Sequence, residues 1–187
     1  MKKVVLLGDS IRMSYGPTVA KLLGEEFSVW EPDDNCRYAQ YTFQNLWEKH
    51  WADNVKDCDI IHWNNGLWDV CNLYNDGVFT PIEFYVQTMV RIAKHLQECS
   101  KTVIYATSTP VRKTNPNIQE SDVERFNKAI VPELEKLGIV INDLHSLIAA
   151  DIPRYISPVD HIHLTDEGVA LCASQVEKVI REQAALL

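Results

Sequence analysis

The stretch Val4-Val5-Leu6-Leu7-Gly8-Asp9-Ser10-Ile11-Arg12-Met13 (VVLLGDSIRM, residues 4–13) decides how the rest of the chain is read. Four apolar residues in an unbroken run read as a strand covered on both faces. The run stops at Gly8, and Asp9 and Ser10 follow where a helix would begin. A serine at such a junction has two readings. In one, it satisfies the first amides of the helix. In the other, it stands exposed at the sheet edge as a nucleophile, with backbone N–H groups and the helix dipole nearby to stabilise an oxyanion. A nucleophilic hydroxyl needs a base, and the base needs an orienting partner.

Outward from this stretch, strand-like runs alternate with helical patterns. Short apolar runs lie at Lys3–Leu7, Phe27–Trp30, Asp59–Trp63, Thr102–Ala106 and Ile139–Asn142. Between them, Pro81–Cys99 carries Phe84, Met89, Ile92, Ala93 and Leu96 near helical spacing, with Pro81 suited to a first turn. Ser121–Leu137 places Val123, Phe126, Ile130 and Leu134 on one face, with Ser121 as its expected cap. Thr165–Leu187 repeats the pattern with Val169, Leu171, Cys172, Val176, Val179 and Ile180, and Thr165 as its expected cap. Strands alternating with helices predict an α/β domain with a parallel sheet and right-handed crossovers. No repeat, low-complexity tract or linker divides residues 1–187, so one domain is expected.

Bulk properties narrow the function classes. Hydrophobic residues make up 46% of the 187 residues and charged ones 24%, a globular composition. The net charge of −8, from 18 basic and 26 acidic residues, argues against nucleic acid or an anionic membrane as partner. No run approaches the roughly 20 apolar residues of a membrane span. The apolar run after Lys2-Lys3 is too short for a signal peptide. The five cysteines, Cys36, Cys58, Cys71, Cys99 and Cys172, are odd in number and show no CxxC spacing. They read as reduced thiols in a soluble, cytoplasmic protein.

Four segments read as loops: Glu31–Tyr41, Asn64–Thr80, Ser108–Glu120 and Asp151–Leu164. Three follow strands directly, and in open α/β sheets ligands bind outside the carboxyl ends of strands. The fourth contains PVDHIHLTDEG, residues 158–168. Asp160 and His163 are three apart, close enough in a turn for the carboxylate to reach the imidazole. In an extended geometry His161 and His163 share a face, so spacing alone does not choose the base. His161, His163 and Asp160 also offer a metal-ligand reading.

Gly8-Asp9-Ser10-Ile11 near one end and Asp160-His161-Ile162-His163-Leu164-Thr165 near the other resemble the front and back signatures of the SGNH hydrolases, also called GDSL esterases and lipases. The resemblance implies a three-layer α/β/α sandwich with a five-stranded parallel sheet in flavodoxin-like order. It implies that Ser10 attacks an acyl carbonyl, His163 is the base and Asp160 orients it. It therefore selects His163 over His161, and it calls for no metal or other cofactor. The implied partner is a small-molecule ester with a short acyl group, by family analogy an acetyl group on a carbohydrate.

The middle motifs depart from that family. Its second motif offers a glycine whose N–H enters the oxyanion hole. The matching stretch is DNCRYAQYT, residues 34–42, and Cys36 stands in place of that glycine. The backbone N–H of Cys36 is the expected oxyanion donor, beside that of Ser10. In residues 62–70 (HWNNGLWDV), Trp68 occupies the place of the family's asparagine. Asn64 at the strand end is then the expected side-chain donor, with Asn65 as the fallback. These departures support a second reading, a non-catalytic ligand-binding relative of the same fold. A nucleotide-binding domain is disfavoured, since neither GxGxxG nor a Walker loop follows the first strand. Arg37, Arg112 and the Thr107–Thr109 stretch are candidates for holding substrate, and Trp63 and Trp68 for stacking on a sugar ring.

Overall fold

The computed structural model describes residues 1–187. Five strands form one parallel sheet: β1 (Lys2–Leu7), β2 (Phe27–Trp30), β3 (Cys58–Trp63), β4 (Ser100–Ala106) and β5 (Val140–Asn142). Their order is β2-β1-β3-β4-β5. In register, Val4 lies opposite both Val29 and Ile60, and Ile104 lies opposite both His62 and Val140. This is the doubly wound order in which the connection reverses between β1 and β3. The crevice at that reversal lies beyond Leu7 and Trp63, where Ser10 and Asn64 follow.

The helices sandwich the sheet. α1 (Ser10–Leu23) packs against α8 (Asp166–Ala184), with α6 (Leu144–Ala149) and α7 (Ile152–Tyr155) also against α8. α4 (Ile82–Cys99) packs on β4 between α2 (Ala39–Asn45) and α5 (Glu120–Lys136), and α3 (Lys49–Val55) lies on β3. Val4 to Leu7 and Ile60 and Ile61 are fully buried, as nearly continuous apolar runs require of strands covered on both faces.

Several boundaries differ from the sequence reading for local reasons. Phe84 is 60% exposed, and Tyr85 takes the buried position on α4. Pro81 is the residue before the helix rather than part of its first turn. Ser121 is not the cap of α5, which starts one residue earlier behind Gln119 without a side-chain cap. Thr165 does cap α8, its hydroxyl accepting the Gly168 N–H at 3.2 Å. The expected loops also hold short helices: α2 begins inside Glu31–Tyr41, and α7 lies inside Asp151–Leu164. All five cysteines are unpaired. No helix is long and apolar enough to cross a membrane.

Candidate active site

Asp9, not Ser10, caps α1. The Ile11 N–H donates to Asp9 Oδ1 at 3.0 Å. Ser10 is thereby relieved of the capping task, and its hydroxyl meets His163 Nε2 at 2.8 Å. On the far side of the ring, His163 Nδ1 lies 3.0 Å from Asp160 Oδ2. Three side chains thus form one hydrogen-bonded line, with Nδ1–H donating to the carboxylate and the serine O–H donating to Nε2.

The turn carrying this line is held by the same carboxylate. Asp160 Oδ1 accepts the N–H groups of Ile162 at 3.0 Å and His163 at 2.9 Å. Burial pushes the Asp160 carboxyl up, but those two N–H groups and the His163 ring outweigh it and hold it below the usual carboxylate range. His161 sits in the left-handed region at φ 66° and turns away. Its Nδ1 pairs with the Thr114 hydroxyl at 2.5 Å, so the two histidines serve different partners. The metal-ligand reading of Asp160, His161 and His163 loses its convergence for that reason.

The expected oxyanion donors fare unequally. Ser10 N–H, at the first position of α1, has no intrahelical acceptor. Cys36 is corrected: its N–H donates to Gly8 O at 3.1 Å and is spent on that bond. In return the Gly8 N–H donates to Cys36 Sγ at 3.0 Å, which ties the loop to the end of β1. Burial pushes the Cys36 thiol up to about 12, so it is no thiolate nucleophile either.

Asn64 and Asn65 divide cleanly. Asn65 is fully buried, with Oδ1 accepting Trp63 Nε1–H at 2.7 Å and Nδ2 donating to Arg37 O at 2.8 Å. Both ends of its amide are engaged within the fold and the side chain is wholly buried, which argues against it as the oxyanion donor. The Asn64 amide stands over the end of β1 beside Asp9. Its Oδ1 is buried without a partner. Only glycine at position 8 leaves it room: a Cβ there would fall 1.9 Å from Asn64 Oδ1. Asp9 itself is fully buried, and burial raises its carboxyl despite the Ile11 N–H, Asn64 and Arg12.

No family model matches the sequence, and no curated protein does. The architecture is shared with solved structures. A lipase/acylhydrolase from Enterococcus faecalis matches with a TM-score of 0.78 at 16% identity, over 98% of this chain and 97% of its own. The acetyl xylan esterase AlAXEase matches at 0.78 and 17% identity, over 95% of this chain and 99% of its own. An acetylxylan esterase from Geobacillus stearothermophilus matches at 0.74 and 13% identity, covering 95% and 93%. The chain has the fold of these hydrolases.

Around this line, the other candidates prove mostly structural. Arg112 Nε and Nη2 donate to Ile156 O at 2.8 and 2.6 Å, and Nη2 also reaches Pro153 O at 2.6 Å. Its own N–H donates to His161 O at 3.0 Å. The residue is a strap on the segment that carries Asp160 and His163. Arg37 lies over the Tyr41 ring and near Asp34. Trp63 is wholly buried against Tyr105 and cannot stack on a ligand. Thr107, Ser108 and Thr109 are buried; Thr107 bonds Asp143, and Ser108 bonds Asn65 O. Trp68 alone of these faces the cleft at Ser10, together with Asn35. The sequence reading does not single out Asn35, although its place one residue before Cys36 in the second motif is a usable signal.

Nor does it single out Asp69. This residue is fully buried, and both its oxygens accept the Ala39 N–H, at 3.1 and 3.2 Å. It thereby caps α2 from a distant loop, where the local residue Tyr38 offers no side-chain cap. Burial raises its carboxyl to about 7, against the Thr80 and Ala39 hydrogen bonds.

Proposed function

We propose that this chain is a serine esterase that cleaves a short-chain acyl ester by acyl transfer. The observation that carries the reading is the line from Ser10 Oγ through His163 to Asp160, at 2.8 and 3.0 Å. As Ser10 Oγ bonds to the acyl carbon, its proton passes to His163 Nε2. The imidazolium then protonates the leaving alcohol as the C–O bond breaks. Water attacks the acyl-serine next, giving its proton to the same nitrogen; the bond from the acyl carbon to Ser10 Oγ then breaks as that proton passes back to Oγ, releasing the acid. Asp160 keeps Nδ1 protonated, so Nε2 is free to accept.

The negative oxygen of the tetrahedral intermediate falls to the Ser10 N–H and the Asn64 amide. The shared fold supports the reaction class, since the neighbours include a lipase/acylhydrolase and acetyl xylan esterases. An acetyl group on a carbohydrate is what those names give for the neighbours; the lining of this chain's own cleft favours a different ester. The unpaired cysteines fit a cytoplasmic location. The engagement of the Cys36 N–H by Gly8 O favours one competing reading, a ligand-binding relative whose oxyanion hole is short of a donor.

Intact mass after treatment with a fluorophosphonate tests the proposal without a substrate. One adduct on the wild type that is lost in Ser10→Ala is expected. A folded wild type that takes no adduct would overturn the esterase reading in favour of the binding one.

A further inference from the structure

The cleft that opens onto Ser10 is built of apolar side chains. It encloses about 350 Å³ and is walled by Leu67, Trp68, Cys71, Leu73, Ile118 and Ile162. The rest of its lining is Ser10, His163 and Asn35. No carboxylate, lysine or arginine lines it. The amide oxygen of Asn35 already accepts the Arg37 N–H at 2.8 Å. A carbohydrate seated here would shed the water on its hydroxyls and find almost nothing to replace it. Neither of the two arginines suited to a polar substrate lines the cleft: Arg112 is bound to main-chain carbonyls, and Arg37 lies exposed beside Asp34 and over Tyr41.

The walls come from three loops that meet at the sheet's reversal point. Leu67 to Leu73 follow β3, Ile118 precedes α5, and Ile162 lies between Asp160 and His163. Ile162 shares the turn held by Asp160, so this wall belongs to the same turn as His163. Trp68 stands where the related esterase motif has its asparagine, and it presents an indole rather than an amide to the cleft. It is 37% exposed and Leu73 is 45% exposed, which leaves apolar area uncovered beside the serine.

We infer that the ester taken by this site carries an apolar chain of several carbons that lies in this cleft, and that sugar acetates are poor substrates. The inference rests on the esterase reading and assigns its substrate class. The chain belongs to either the acyl or the alcohol side of the ester; both present the same apolar chemistry to the same wall.

The test is kcat/KM on three sets: p-nitrophenyl esters from acetate to octanoate, alkyl acetates from ethyl to octyl, and acetylated xylose. Each methylene buried is worth about 0.8 kcal/mol, or about fourfold in kcat/KM. One of the first two series rises by about that factor per carbon over its first members, and the one that rises tells which side of the ester occupies the cleft. Acetylated xylose falls below both. Ile118→Asn flattens the rise. Labelling rates with fluorophosphonates of increasing alkyl length rise in parallel and do not depend on turnover. Labelling and hydrolysis that are indifferent to chain length, or a preference for acetylated xylose, overturn the cleft assignment and leave the esterase reading standing. A folded wild type that takes no fluorophosphonate of any length overturns both.

Discussion

Asp160 holds His163 twice: one carboxylate oxygen accepts the residue's N–H at 2.9 Å, and the other faces its ring Nδ1 at 3.0 Å. The turn and the tautomer therefore depend on one side chain. Asp160→Asn keeps an oxygen for the two backbone N–H groups but sets an NH₂ against Nδ1. The ring then presents Nδ1 as an acceptor and carries its proton on Nε2, where the serine proton should go. We expect kcat to fall by roughly 10²–10⁴-fold with little change in the unfolding midpoint. Steady-state rates beside a thermal melt check this, and a near-normal rate would remove Asp160 from the mechanism.

Asn64 and Asn65 offer a paired experiment. Asn64→Ala is expected to cost roughly 10²–10³-fold in kcat with the fold intact, as loss of an oxyanion donor does. Asn65→Ala leaves Trp63 Nε1–H and the Arg37 carbonyl without their partners in the core. It is expected to lower stability by about 2–4 kcal/mol, measured by urea unfolding. A stable Asn64→Ala protein with full kcat would show that the oxyanion has other donors.

Arg112→Lys tests whether the strap on residues 153–161 matters for reactivity. A lysine ammonium cannot reproduce the planar fork that bridges the Pro153 and Ile156 carbonyls. We expect a stability loss of about 1–2 kcal/mol and a fall of roughly tenfold in the rate of fluorophosphonate labelling, since a small misplacement of the base is costly. Unchanged labelling with lowered stability would confine Arg112 to folding.

Asp69 predicts an unusual pH dependence. Its carboxyl ionises near 3.8 in a free chain and near 7 in the folded one, because burial disfavours the charge. Between those values the native state holds a proton that the unfolded state has released. Its contribution to stability therefore falls as pH rises from about 4 to about 7, and stays low above. Asp69→Asn never ionises, yet still offers an oxygen to the Ala39 N–H. It should be more stable than the wild type at pH 8, with the difference closing toward pH 4. Urea unfolding at both pH values decides; a variant weaker at pH 8 would mean that the charged bond to Ala39 outweighs its burial.

What the sequence makes legible has a physical pattern. β1, β3 and β4 carry nearly continuous apolar runs, and α5 and α8 repeat apolar residues over about three turns. Such signals survive without tertiary information. α2, α3, α6 and α7 are each seven residues or fewer, too short for a period to emerge, and α2 takes its cap from Asp69, 30 residues away. At the site, Ser10, Asp160 and His163 are legible because their motifs are local, and the structure brings the three together. Cys36 misleads because a free N–H looks the same in sequence as one bonded to Gly8 O. Trp63 and Arg112 mislead because burial and main-chain partners are set by distant segments. The apolar cleft is invisible in the sequence for the same reason, since three separate loops supply its walls.

The serine and its imidazole stand 153 residues apart in the chain. A ribosome adding roughly 5–20 residues per second exposes Ser10 on the order of ten seconds or more before it makes His163. Throughout that interval the nascent polypeptide displays an ordinary alcohol, inert toward the esters around it. On the esterase reading, activation of the serine has to wait until the loop that carries Asp160 and His163 docks over the end of the first strand, so the order of synthesis would act as a built-in delay.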